Sequence, residues 1–251
     1  MGVVNITPDS FSDGGRFFSV DEAVTQARQL AADGADIIDI GGESTRPGAE
    51  PVSEQQELER VMPVLTKISD LCVSVDTRRA RVMQEALEAG ASMINDVDAL
   101  AAPGALEAVA ASACAVCLMH KKGDPRTMQR DPHYDDVLQE VKRFLKQRVE
   151  AAMAAGVAAA RIVVDPGFGF GKTLEHNLTL LKNLPSLSAF PMLVGLSRKS
   201  TLGKITGRPV DQRLAGSLAL ALLALQGGAT ILRVHDVRET RDVIAVWEAF
   251  K

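Results

Sequence analysis

The 251-residue sequence has no surplus of positive charge: 28 Lys and Arg stand against 32 Asp and Glu, a formal net charge of −4. Such a chain carries no general field for polyanions, which argues against nucleic acid and membrane surfaces as partners. Any anionic ligand must be met by a few placed cations. Cysteine is scarce, at three residues, too few for a disulfide framework and in keeping with reduced thiols in a cytoplasmic protein. Cys114 and Cys117 form a C-x-x-C, but they sit in the apolar run "CAVCLMH". An offset of three along a strand puts side chains on opposite faces, so the pair is expected to pack, not to bind zinc or cycle redox states. His120, His133 and His176 are scattered, without transition-metal spacing. There is no signal-peptide pattern and no apolar span of about 18 residues. Nor does a proline- or serine-rich linker divide the chain. A single domain covering residues 1–251 is expected.

What the sequence does contain is a repeated unit: an amphipathic helix, a glycine, a short apolar run, then a polar residue. "AVTQARQLAADGADIIDIGG", "RVMQEALEAGASMINDV" and "LALLALQGGATILRVHD" all follow it, with Gly34, Gly90 and Gly228 placed to end their helices. The apolar runs do not alternate, as suits strands covered on both faces of a parallel sheet. Eight such runs lie near residues 2–6, 36–40, 72–75, 92–95, 114–118, 162–164, 192–195 and 231–234. Ser19-x-x-Glu22 and Ser53-x-x-Gln56 read as capping boxes, and a long fifth helix spans about Tyr134 to Ala155. Eight β-then-α units of about 30 residues predict a (β/α)8 TIM barrel, with its active site at the C-terminal strand ends. A doubly wound open sheet is the alternative, although no switch point is marked.

The residues at those strand ends are Asn5, Asp39 with Glu43, Asp76, Asn95, His120, Asp165, Ser197 with Arg198 and Lys199, and Arg233 with His235. In a barrel they converge on one mouth. Asp96, Asp236 and Asp39 are expected to act chiefly as helix caps. Asp76, Asn95 and Asp165 offer acceptors suited to a flat heterocycle rich in N–H donors. Lys199, Arg233, His235 and Arg46 supply charge for phosphate or carboxylate groups. A metal, if used, is a hard Mg²⁺ held mostly by substrate oxygens. Two long loops, "TPDSFSDGGRFFS" and "GGESTRPGAEPVS", are expected to act as lids over this mouth.

One stretch, "DPGFGFGKT", imitates a phosphate-binding P-loop through Gly171, Lys172 and Thr173. Pro166 occupies the first glycine's place and lacks an N–H, and Asp165 beside it repels a triphosphate. The stretch is better read as a strand-end carboxylate and a flexed turn. That turn is expected to present Phe168 and Phe170 to an aromatic ligand, with Gly167 and Gly169 permitting close approach.

Together, "MGVVNITPDSFSDGG", "GGESTRPGA", "VSVDT", "IND", "LMH", "DPGFGFGKT", "LVGLSRKS" and "RVHDV" appear in the order typical of the dihydropteroate synthases, and the resemblance covers nearly the whole chain. It implies a dimeric barrel that joins a dihydropterin pyrophosphate to p-aminobenzoate in folate synthesis, releases pyrophosphate and is inhibited by sulfonamides. By resemblance, Asp76, Asn95, Met119, Asp165, Lys199 and Arg233 form the pterin pocket, and Asn5, Thr45, Arg46, Arg233 and His235 bind pyrophosphate. Phe11, Pro47, Phe170, Lys199 and Ser200 are similar to the p-aminobenzoate subsite. Asn5 corresponds to a Mg²⁺ ligand, with Asp13 beside it in the first loop. Asp76, Asp165, Lys199, Arg233 and His235 correspond to the residues that carry catalysis.

Two segments depart from the family pattern: "KKGDPRTMQRDP" after "LMH", where Lys121 and Lys122 are expected to be surface charges, and "INDVDAL". The family usually begins about a dozen residues earlier, which leads to the expectation of a missing cap at the barrel floor. Two relatives remain as alternatives: a pterin-binding methyltransferase domain, which would not need the pyrophosphate set, and a non-catalytic pterin-binding subunit, which would have shed its charged rim.

Overall fold

The computed structural model describes residues 1–6, 20–43, 51–124, 126–187 and 189–250. Strand and helix alternate along the chain. The order is β1 (Gly2–Asn5), α1 (Val20–Ala32), β2 (Ile38–Gly41), α2 (Glu54–Lys67), β3 (Val73–Asp76), α3 (Ala80–Glu88), β4 (Met93–Asp96) and α4 (Ala105–Ala110). It continues with β5 (Ala115–Met119), α5 (Val137–Ala154), β6 (Ile162–Asp165), α6 (Leu174–Lys182), β7 (Leu193–Val194), α7 (Ser200–Thr206), α8 (Leu214–Gln226), β8 (Ile231–Leu232) and α9 (Val237–Ala249).

The strands pair in parallel and in chain order from β1 to β6, and β7 pairs with β8. Bridges between Val164 and Met192 and between Gly2 and Val234 join the two sheets at both seams. The N–H of Val3 donates to Val234 O at 3.2 Å, and that of Val234 donates to Met1 O at 2.9 Å. The sheet is therefore closed, and the fold is a TIM barrel.

Local chemistry sets the boundaries. Gly34, Gly90 and Gly228 stand at φ of +99°, +96° and +86° after their helices, the left-handed geometry that ends a helix without a Cβ penalty. Ser53 caps α2 in a capping box with Gln56, as its spacing predicts; Ser19 lies outside the described residues. The fifth helix starts at Val137 under the Asp136 cap, three residues later than its pattern suggests.

The core has two parts. Between sheet and helices lies the larger cluster, which includes Cys114; inside the barrel Met1, Met93, Cys117, Val163 and Leu193 form a second, with Ile37, Ala115 and Ile231 against it. Cys114 and Cys117 thus face opposite sides of the wall, as expected from their spacing. Among the described residues no helix is long and apolar enough to cross a membrane.

Candidate active site

One pleat repeat above the inner cluster, the same strands change character. Asp39 follows Ile37 by two residues, Asn95 follows Met93, Met119 follows Cys117, Asp165 follows Val163, Gly195 follows Leu193 and Arg233 follows Ile231. Residues two apart on a strand share a face, so polar side chains enter the barrel where apolar ones fill it a turn of the pleat below. The register aligns Asn5, Gly41, Asp76 and Asn95 in one row across β1 to β4. Met119 pairs with Asp165 one step further round.

Asp76, Asn95, Asp165, Lys199 and Arg233 line one cavity of about 30 Å³. Val97, Met119, Phe170 and Gly195 complete its wall. That volume suits a water molecule or two, not a bicyclic heterocycle. The Arg233 side chain folds across this space. Its Nε donates to Asp39 Oδ2 at 2.6 Å and its Nη2 to Asp76 Oδ2 at 3.0 Å. The Asn95 amide also donates to Asp39 Oδ2, at 3.3 Å. Asp39 is fully buried, and its other oxygen has no hydrogen-bond partner among the described residues. The cap expected of Asp39 is therefore corrected: its carboxylate is the counter-ion of Arg233 inside the barrel.

Burial sets the electrostatics. It pushes the Asp76 carboxyl up to about 7 against the pull of Arg233, and it raises Asp165, which Lys199, the Gly167 N–H, Lys172 and Arg233 pull back down. Lys199 is lowered by burial to about 8 despite Asp165 and Asp76. Burial works against the Arg233 guanidinium too, but Asp39 and Asp76 more than offset it and raise its pKa. The pocket thus holds mixed charge at close quarters, suited to a ligand that is donor-rich on one edge and anionic at another.

The other expected residues stand around the mouth. Asn5 ends β1, half-buried, with no hydrogen bond from its amide among the described residues. His235 lies just past β8, its Nδ1 3.0 Å from Ser197 Oγ, which also accepts the His235 backbone N–H at 3.2 Å. Ser200 is the exposed first residue of α7, next to Lys199. Phe11, Asp13, Thr45, Arg46 and Pro47, with both expected lids, lie outside the described residues. The base of the second loop is well anchored. Arg60 donates to Gly42 O at 2.8 Å, and Glu43 accepts from Arg78, Arg79 and the Val52 N–H.

Several other strand-end residues turn away from the cavity. His120 turns into an aromatic pocket, edge-on to Phe144 with ring centroids 4.9 Å apart. Arg198 points outward and pairs with Asp236, whose carboxylate makes no cap bond to α9, contrary to expectation. Asp96 does not cap α4, whose N-cap is Gly104, but holds the turn before it. It accepts the N–H groups of Asp98 and Leu100, each at 2.7 Å, in a turn where Ala99 and Leu100 both have positive φ. Arg148 supports the same "INDVDAL" turn from outside by donating to the carbonyls of Ala99 and Leu100. Lys121 pairs with Asp98 and Lys122 with Glu140, so both lysines of the variant segment are tied to neighbouring elements.

The loop after β6 settles the P-loop question. Lys172 is buried, at 2% exposure, and its Nζ lies 2.9 Å from His120 Nδ1 while donating to Gly167 O at 2.8 Å and Phe170 O at 3.1 Å. It is engaged inside the protein and cannot serve a phosphate. Thr173 caps α6 in a box with His176. Phe168 is fully buried in the core, a correction to the expectation that it faces a ligand; only Phe170 lines the cavity. The close approach allowed by glycine is likewise to the protein itself. A Cβ on Gly167 would stand 1.8 Å from His120 O, and one on Gly171 2.1 Å from Lys122 O.

Comparison with known proteins places the chain in a family. Residues 1–235 match the family model described as pterin binding enzyme. The dihydropteroate synthase of Haemophilus influenzae is 51% identical over 254 aligned residues, covering 99% of this chain and 92% of that protein. The chain belongs to the dihydropteroate synthase family. Solved members superpose closely. Yersinia pestis dihydropteroate synthase, in a complex with a sulfonamide drug, gives a TM-score of 0.95 at 48% identity over 99% of this chain and 92% of that one. The Xanthomonas albilineans enzyme with 4-aminobenzoic acid gives 0.94 at 52% identity, over 99% and 91%. Membership of this family turns attention from the barrel, which many chemistries share, to the particular side chains at its mouth.

Proposed function

We propose that this chain is a dihydropteroate synthase, condensing 6-hydroxymethyl-7,8-dihydropterin pyrophosphate with p-aminobenzoate, and that the cavity around Asp165 is its pterin pocket. The observation that carries the assignment is the meeting of Asp76, Asn95, Asp165, Lys199 and Arg233, distant in sequence, on one cavity at the C-terminal strand ends. Asp165 accepts the N–H donors of the amino-pyrimidinone edge, helped by Asn95 and Asp76, with Met119 beneath the ring. An analogue without those donors would leave a buried carboxylate unpaired and be rejected strongly. Arg233 leaves Asp39 and Asp76 when the pterin enters, covers one ring face and, with His235, Thr45 and Arg46, meets the pyrophosphate.

The fit to Mg²⁺ rests on Asn5. Its amide oxygen is one neutral donor at the mouth, and among the described residues no cluster of three His, Cys, Asp or Glu side chains could hold a metal. Such a set suits a hard cation that takes most of its ligands from substrate oxygens. Asn5 would hold it, with Asp13 as a further candidate, and when bound it supplies positive charge to the pyrophosphate.

The chain's own residues then divide the work. Arg233, Arg46 and His235 stabilise negative charge on the departing pyrophosphate, and the Asp165 side of the pocket stabilises positive charge left on the pterin. Phe11, Pro47, Phe170, Lys199 and Ser200 hold p-aminobenzoate, whose neutral amine attacks without a strong base; sulfonamides compete for this subsite. The whole chain, residues 1–251, is taken as one pterin-binding domain working in the cytoplasm. A second copy is its partner, supported by exposed Ile205 on α7, Leu214 and Leu223 on α8 and Val246 on α9. The test is pyrophosphate release from the pterin substrate. Release that requires both p-aminobenzoate and Mg²⁺ is expected; none, or methyl transfer from a methylated folate in its place, overturns the assignment.

A further inference from the structure

The cation that the P-loop imitation leaves without a phosphate has a different place in the site. Lys172 sits at the end of the seven-residue path from Asp165 to Gly171, and its ammonium reaches back into it. It donates to the carbonyls of Gly167 and Phe170 and meets the Nδ1 of His120. Among the described residues no carboxylate pairs with it directly; its anionic neighbour at longer range is Asp165. Burying an amine this way is costly unless its donors are used. Here they are used, on the loop that brings both Asp165 and Phe170 to the cavity. Gly167, whose carbonyl it holds, gives its N–H to Asp165 Oδ1 at 2.7 Å. Phe170, whose carbonyl it also holds, lines the cavity under Lys199, whose Nζ is 4.9 Å from the ring centroid and donates to Phe168 O at 2.5 Å. Two lysines thus grip the same turn: Lys199 from the cavity side and Lys172 from behind.

We propose that Lys172 is a positioning residue of the synthase site, a buried cation that fixes the Asp165–Phe170 turn and so sets the pterin edge and the aminobenzoate subsite together. The proposal rests on the assignment of that cavity to the two substrates. His120 belongs to the same device as a neutral acceptor, since burial and the neighbouring lysine hold its imidazole down at about 3. Lys172 itself is lowered by burial to about 7. It is therefore charged on the acid side of neutrality, where Asp165 must stay ionised to receive the pterin. The titratable and charged groups around Asp165 are Lys199 just before α7, Arg233 just after β8, Lys172 on its own loop and the Asp76 carboxyl of β3 on the same cavity, with the Cys117 thiol on β5 held neutral by burial.

The test compares wild type with Lys172→Met, which fills the space but supplies no donor or charge, and Lys172→Gln, which keeps donors without charge. In Lys172→Met the pterin Kd rises about tenfold and the KM for p-aminobenzoate rises with it, while kcat at saturation changes less. The acid limb of pterin binding moves to higher pH in both variants, because Asp165 loses a stabilising cation. Lys172→Gln recovers part of the affinity but not the pH profile. A purely structural lysine would lower the melting temperature and leave Kd, KM and the acid limb of the folded enzyme at wild-type values; that result overturns the proposal, as does failure of both variants to fold. Wild type and Asp165→Asn are measured alongside. A wild type without aminobenzoate-dependent pyrophosphate release undermines the synthase assignment itself, whereas an active wild type with unchanged Lys172 variants removes only this inference.

Discussion

The inner cluster of the barrel and the rim above it are built by the same strands, two residues apart, and they do opposite things. Met93, Cys117, Val163 and Leu193 are buried apolar side chains that fill the closed sheet. Asn95, Met119, Asp165 and Gly195 carry four of those strands onward to the cavity wall. The lower layer gains from being dry and full. The upper one gathers carboxylates and cations whose solvation has been stripped away, as the raised Asp76 and Asp165 and the lowered Lys199 record. Stability and chemistry are thereby separated along each strand by a single pleat repeat of about 7 Å. Substitution in one layer should leave the other's property largely intact.

The largest effect expected below the rim is from Leu193→Ala. Leu193 is fully buried, and truncation of such a leucine costs about 2–5 kcal/mol of stability. Denaturant titration should show that loss, while kcat/KM per folded molecule stays at the wild-type value. Weakened substrate binding with unchanged stability would erase the distinction between the layers. At the rim, Arg233→Ala should lower kcat/KM by at least about tenfold, since a charge-assisted contact to a developing anion is worth about 1.5–3 kcal/mol; steady-state assays with full activity would remove Arg233 from the mechanism.

The smallest effect sharpens the comparison from a third place, the wall behind the rim. Burial, with the Lys172 charge beside it, holds the His120 imidazole down at about 3 in the folded protein, below the ordinary value of about 6.5. The unfolded chain therefore binds the extra proton first as pH falls. The contribution is fully present above about 6.5 and is lost progressively toward 3, about 1 kcal/mol between pH 6 and 5. His120→Leu should flatten that part of a plot of stability against pH. An unchanged slope would place the acid sensitivity elsewhere.

The barrel was legible because its signals are local. Glycine after each helix, apolar runs of strand length and a polar residue at each run's end all follow from backbone geometry and burial. Asp76, Asn95, Asp165, Lys199 and Arg233 were found the same way, by position on a strand. Direction was harder to read. Asp39 looks like any cap-forming aspartate until Arg233 is seen to fold back from β8, a neighbour 194 positions away. Phe168 and Phe170 are equivalent in "GFGFG", and only the packing of the loop against His120 O and Lys122 O decides that one enters the core and the other the cavity. For Lys172 the sequence held a misleading signal: the Gly-Lys-Thr of a phosphate loop, turned inward on carbonyls that no spacing rule foretells.

The central claim is that the Asp165 carboxylate receives the donor edge of a pterin, and a fluorescence titration of a pterin against wild type and Asp165→Asn tests it most directly. An amide places an N–H where the carboxylate has an acceptor, so the variant should bind at least about tenfold more weakly while unfolding as cooperatively as wild type. Equal affinities for the two proteins would contradict the account.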